Sequence, residues 1–267
     1  MTLPLDIVLV RHGESEGNVA NNRSKQGDNH DFTPEFLSRH SSDWRLSKLG
    51  VIQAKAAGQW LRENNLGSFD RYYASEHLRA AETAAQLELP DANWLLDFQL
   101  RERDYGLIDV ITKEERKARY AEYLDRRQIH EFYWTPPEGE SIANLCSRLR
   151  GGIVSTLHRE CSDHQVIIVC HGDVIRALRV ILERITARDY HQLLNTNHPR
   201  LQTPNGQIVH YTRTDPNRVL PHLNWVRTTC PDDPKLAASK WQPIVRQSYS
   251  NQKLLELVQQ TTKLVNC

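Results

Sequence analysis

The chain has 267 residues, of which 39% are hydrophobic and 25% charged, with 12 glycines and 12 prolines. That composition supports a sizeable core and excludes a collagen-like, low-complexity or wholly disordered polymer. The length fits one α/β domain with insertions. Lys and Arg total 34 against 33 Asp and Glu, a formal charge of +1. No global basic field therefore points to nucleic acid or an anionic membrane as partner, while a local anion site is left open. No stretch approaches the roughly 20 apolar residues that span a bilayer. The start, MTLPLDIVLVRHGES, lacks the basic beginning and long hydrophobic segment of a secretory leader. Cys146, Cys161, Cys170, Cys230 and Cys267 show no paired short spacing, which predicts free thiols, no zinc site and a cytoplasmic location.

Taken in chain order, residues 5–10 read as a buried strand, because Ile7, Val8, Leu9 and Val10 run together. Arg11-His12-Gly13 follows at its C-terminal end, where open α/β sheets bind ligands. Residues 19–45 are polar and predict a long loop with a short helix near 34–39. Ser47 opens a helix to about Asn65, with Ile52, Ala56 and Trp60 on the apolar face and Leu49 and Leu61 widening it. A short strand at 69–75 precedes a helix from about His77 to Leu87, and another short strand is expected at 94–98.

Residues 113–130 read as a charged helix, and 140–160 as a second, weakened in its middle by Gly151-Gly152. Residues 166–169 form the other emphatic strand, ending in Cys170-His171-Gly172-Asp173 and followed by a helix from Val174 to about Arg184. Asn205-Gly206 marks a turn. Strands at 207–212 and 220–228 are expected, joined through Asp215-Pro216-Asn217. The Pro/Asp-rich stretch 231–234 opens a C-terminal extension with a weak amphipathic helix at 252–264.

Arg11 and His12 alone would suit a structural role at a strand end. Arg79 and His171 near other strand ends change the reading. Guanidinium forks suit phosphate or carboxylate oxygens, and histidine nitrogens donate hydrogen bonds or do covalent chemistry. The set reads as an anion pocket, with the anion unspecified.

Five segments in order carry a resemblance: LVRHGESEGN at 9–18, LSKLGVIQA at 46–54, YASEHLRAAETA at 73–84, LRERDYG at 100–106 and IIVCHGDVIRAL at 167–178. Over roughly residues 5–228 the chain resembles the histidine phosphatase superfamily, in its phosphoglycerate-mutase-like branch. The resemblance implies a three-layer α/β sandwich, with a mostly parallel central sheet and helices on both faces. Residues 1–230 would form the catalytic domain, with a cap insertion around 103–136. Residues 231–267 would be an extension packed on it or trailing from it.

The resemblance further implies that His12 is the nucleophile and becomes a phosphohistidine, with Arg11, Arg79 and His171 around the phosphoryl oxygens and Asn18 at the rim. Glu102 would be the general acid. Asp173 is the runner-up, because a related branch uses an aspartate near its second histidine. That branch has another arginine and a proline after its RHG segment, whereas this chain has Glu14-Ser15-Glu16-Gly17-Asn18. Ser15 would touch substrate or cap a helix. Glu82 and Thr83 would orient Arg79, and Cys170 would sit in the sheet core. Arg103, Tyr105 and Lys113 would contact the part of the substrate that is not transferred.

Two features depart from the mutase pattern. Val110 stands where a glycine is common, and more residues separate Arg126-Arg127 from Pro136-Pro137. The reading is thus a phosphatase acting on a small-molecule phosphate monoester without metal or organic cofactor. A mutase-like phosphotransferase is the alternative, and a weakly catalytic phosphoprotein binder a further one. The sequence specifies no oligomeric state.

Overall fold

The computed structural model describes residues 2–215, 218–233, 235–236 and 240–265. Pro216 and Asn217 of the expected turn, Pro234 of the stretch at 231–234, and Cys267 lie outside the described residues. The first half runs β1 (Asp6–Arg11), α1 (Glu16–Lys25), α2 (Pro34–Ser38), α3 (Lys48–Glu63), β2 (Arg71–Ser75), α4 (Leu78–Gln86), β3 (Trp94–Asp97) and α5 (Lys113–His130). Next come α6 (Ile142–Leu149), α7 (Ser155–Glu160), β4 (Gln165–Cys170), α8 (Gly172–Glu183), α9 (Ala187–Asn195) and β5 (Ile208–Thr212). The chain closes with β6 (Thr214–Asp215), β7 (Arg218–Val219), β8 (Trp225–Thr229), β9 (Gln242–Pro243) and α10 (Asn251–Gln259). Among the described residues, no helix is long and apolar enough to cross a membrane.

Among the described residues, seven strands form one sheet in the order β3-β2-β4-β1-β5-β8-β9. The first four are mutually parallel, and β5, β8 and β9 each add antiparallel. The pleat sends alternate side chains to opposite faces. Ile7, Leu9, Val166 and Ile168 meet Leu145, Ile153 and Leu178 on one face. Val8, Val10, Ile167 and Val169 meet Ala57, Leu61, Ala80 and Ala84 on the other. The three-layer α/β sandwich follows from strands buried on both faces. β1 and β4 are neighbours in register, Arg11 opposite Cys170, so the two histidines that follow them emerge side by side.

Three sequence expectations are corrected. Residues 19–25 are helical, because Ser15 and Asn18 form a reciprocal capping box that starts α1; the polar composition of α1 conceals it. The buried face of α3 is Gly50, Ala54, Ala57, Gly58 and Leu61, whereas Leu49 and Ile52 are exposed. Small residues let α3 approach closely: a Cβ on Gly58 would overlap the Leu87 carbonyl. The helix expected over 140–160 is interrupted by a π turn at Arg150–Val154. Gly152 leaves helical geometry there, where a Cβ would overlap the Gln99 side chain.

Candidate active site

The floor of the site is the C-terminal edge of β1, β4 and β2. His12 leaves β1 only 2% exposed. Its Nδ1–H donates to the Gly13 carbonyl at 2.7 Å, which puts the lone pair on Nε2. Arg79 Nε lies 3.4 Å from that Nε2. His171, leaving β4, pairs through Nε2 with Ser75 Oγ at 2.8 Å, at the end of β2. The His12 and His171 rings are 5.1 Å apart, edge to face. Reactive atoms of His12, Glu102 and His171 all lie within 4.8 Å of one another.

The loop after β1 is held from several sides. Gly13 N–H donates to Thr83 Oγ1 at 3.1 Å, and a Cβ on Gly13 would overlap the backbone of Gly50. The His12 carbonyl accepts from Gly206 N–H at 3.3 Å and Asn205 Nδ2 at 3.1 Å. Arg11 Nη1 donates to the Thr203 carbonyl. Arg79 Nη1 donates to the Ser41 carbonyl at 2.6 Å. These bonds fix both guanidinia beside the histidines.

Electrostatics follows from burial. Desolvation, reinforced by the charges of Arg79 and Arg11, holds the His12 imidazole well below its usual range, so it is neutral, with Nε2 unprotonated and facing the Arg79 Nε–H. His171 is held low in the same way. Burial and Arg79 bring His77 down to about 3. Burial lowers Arg11 to about 10, which leaves it charged at neutral pH.

The two candidate acids differ sharply. Burial, and then the charge of Asp173, raise the Glu102 carboxyl above its ordinary value; one oxygen accepts the Arg103 N–H at 2.9 Å. Burial also opposes ionisation of Asp173, but the charges of Arg176 and Arg103 outweigh it and hold that carboxyl low. Arg176 contacts Asp173 at 2.6 Å, and Tyr105 donates its hydroxyl at 2.7 Å. A pair pushed apart in this way gives one proton donor and one fixed anion. Of the two, Glu102 is the carboxyl whose proton is held more tightly.

Above this floor opens a cavity of about 560 Å³ whose walls carry eight Lys or Arg and four Asp or Glu side chains. Its field favours an anion. His12, Glu102 and His171 form a cluster with the spacing of metal ligands, yet Arg11 and Arg79 beside them would repel a cation.

Asn18 directs its amide oxygen to Ser15 N–H, Ser15 Oγ and Asn205 Nδ2, which leaves its NH₂ for the cavity it lines. Ser15 lines the cavity and caps α1 as well. Arg103 and Tyr105 reach the cavity wall but are largely spent within the protein. Arg103 donates to the Glu140 and Trp134 carbonyls and to Glu131. Lys113 is not brought to the cavity, since its ammonium donates to the Lys25 carbonyl at 2.9 Å. Glu82 does not touch Arg79; it pairs with Arg45 at 2.7 Å, whereas Thr83 bonds the Arg79 carbonyl at 2.7 Å. Cys170 is fully buried in the sheet.

Several residues of the site escape a reading of the sequence. Ser75 and His77 flank the end of β2, His77 stacking edge-on to His171 at 5.0 Å. Arg176 follows Asp173 by three residues on α8, a spacing that could reveal the pair. Arg116 comes from α5, where a run of charges offers no signal.

An α/β fold with histidines and arginines gathered at parallel strand ends defines an anion-handling site, and comparison with known proteins gives its family. Residues 7–225 match the family described as histidine phosphatase superfamily (branch 1). A 2,3-bisphosphoglycerate-dependent phosphoglycerate mutase of Methylobacterium radiotolerans is 32% identical over 185 residues, 67% of this chain and 80% of its own. That of Rhizobium etli is 31% identical over 189 residues, 68% of this chain and 82% of its own. A mycobacterial glucosyl-3-phosphoglycerate phosphatase shares the fold with a TM-score of 0.59 at 22% identity, over 77% of this chain and 92% of its own. The chain belongs to the histidine phosphatase superfamily.

Proposed function

We propose that the protein is a phosphatase that hydrolyses small phosphate monoesters through a phosphohistidine at His12, without a metal. The observation that carries this reading is the convergence of His12, Glu102 and His171 within 4.8 Å, beside Arg11 and Arg79. His12 Nε2 attacks phosphorus in line, and the P–O bond to the leaving group breaks. Glu102 gives its proton to the departing oxygen and becomes a carboxylate. Arg11, Arg79, His171 and the NH₂ of Asn18 stabilise the charge on the non-bridging oxygens. Water then attacks the phosphohistidine, Glu102 takes its proton, the P–N bond breaks, and phosphate leaves.

Hydrolysis is favoured over transfer by the condition of the expected substrate anchors. A mutase must hold an intermediate while presenting a second hydroxyl to the same phosphoryl group. Here Lys113 is committed to a carbonyl, and Tyr105 to Asp173. The named activity of the 32% identical relative supports the second reading, a mutase. Incubation with labelled phosphoglycerates, with and without a bisphosphorylated primer, separates the two. Free phosphate should exceed positional exchange. Primer-dependent exchange with little phosphate release would replace the hydrolase with the mutase.

A further inference from the structure

A second cavity, of about 470 Å³, lies between α8, the segment 198–207, β8 and the chain around β9. Four cationic side chains line it, Arg179, Arg200, Lys235 and Lys240, against one carboxylate, Glu183. That carboxylate is already spent. It accepts from Arg179 at 3.0 Å, from the Tyr211 hydroxyl at 2.6 Å, and from Arg200. Among the described residues, neither lysine has an ion-pair partner. The cavity therefore carries an uncompensated excess of positive charge around a guanidinium that is only 2% exposed. Arg179 Nε is buried and without a partner, a donor whose capacity ordinarily finds a use.

We infer that this second cavity is a binding site for a compact anion, phosphate- or carboxylate-bearing, held by Arg179, Arg200 and Lys240. Paired guanidinia match the oxygens of either group, and the volume suits a small metabolite. Its position gives it a consequence for the catalytic pocket. Gln202, Pro204 and Gln207 face the second cavity, and Thr203 faces the first. The same segment bonds Arg11 through the Thr203 and Gln207 carbonyls, and His12 through Asn205 and Gly206. One stretch of chain walls both cavities, so an occupant of the second bears on the segment that positions the nucleophile.

The test is equilibrium dialysis of the full chain with radiolabelled inorganic phosphate. Two phosphates per chain are expected. One should be lost in Arg79→Ala, and the other weakened at least about tenfold in Arg200→Gln and in Lys240→Glu. The lysine is exposed, so its reversal leaves the fold intact even if Arg200→Gln does not. Displacement of the second phosphate by citrate assigns carboxylate ligands, and displacement by glycerol phosphate alone assigns phosphate esters. One phosphate per chain, or a second site indifferent to Lys240→Glu and Arg200→Gln, overturns the proposal. A second site that persists in a protein releasing no phosphate from any ester would refute the hydrolase reading and leave this one standing.

Discussion

At the cavity floor, His12 and His171 leave strands whose residues Ile7 to Val10 and Val166 to Cys170 are fully buried. Across the cavity, α5 lends Arg116 and Arg127 to the wall and has no buried residue along its 18 positions. The floor is thus fixed by sheet hydrogen bonds and close packing, and its side chains have few alternatives. The wall is a charged helix whose long side chains choose partners by what lies near. Chemistry should therefore depend steeply on the floor, while substitutions on α5 alter it in small steps. The difference separates what is preorganised for phosphoryl transfer from what tunes access to it.

The steepest loss expected among the supporting groups is that of the acid. Glu102→Gln should slow turnover of an alkyl phosphate by about 10²–10⁴-fold, and less for an aryl phosphate, whose leaving oxygen needs little protonation. Comparison of the two rate losses checks the role; equal losses with chemistry rate-limiting would remove Glu102 from it. Packing at the floor gives the next effect. Gly13→Ala would press a methyl group into the Gly50 backbone, with an expected destabilisation of about 1–3 kcal/mol. Urea unfolding measures it, and an unchanged midpoint would mean that the loop has room to move.

Asp173→Asn sharpens the contrast between the two carboxyls. The charge of Asp173 helps raise Glu102, so its removal lowers the Glu102 pKa and leaves less of the acid protonated at neutral pH. The alkaline limb of the rate profile, which falls as Glu102 loses its proton, should move to lower pH. Activity at neutral pH should fall with it, by up to about tenfold if the limb moves by one pH unit. A limb that stays in place assigns the titration elsewhere. The smallest effect belongs to the wall. Lys113→Ala removes a hydrogen bond to the Lys25 carbonyl and should change kcat/KM by less than about twofold, since an exposed contact of this kind carries little energy. A tenfold loss in steady-state kinetics would bring Lys113 back to the substrate.

The same division governs what the sequence discloses. Residues 7–10 and 166–169 are legible as strands because burial on both faces demands continuous apolar runs, and the RHG and CHGD segments follow them directly. The face of α3 is misjudged from the sequence because close approach to the loop after β1 and to the end of α4 selects Gly50 and Gly58, while larger apolar residues such as Ile52 lie outside. Helix α1 is hidden because its start rests on one capping pair, Ser15 and Asn18. Lys113 and Arg116 are three residues apart on α5, yet only Arg116 reaches the cavity. Composition gives no warning of that choice, which depends on where the Lys25 carbonyl happens to lie.

In the proposed mechanism His12 carries the phosphoryl group. Its neutral imidazole, with Nδ1 engaged by Gly13 at 2.7 Å, presents Nε2 toward the cavity beside Arg79. Rapid mixing with a labelled phosphate ester, an alkaline quench that preserves phosphohistidine, and peptide mapping test it directly. The label should appear on His12, decay as free phosphate forms, and be absent from a folded His12→Ala protein that has lost at least about 10³-fold in turnover. Label on any other residue, or full turnover in His12→Ala, would remove His12 from the nucleophile's role.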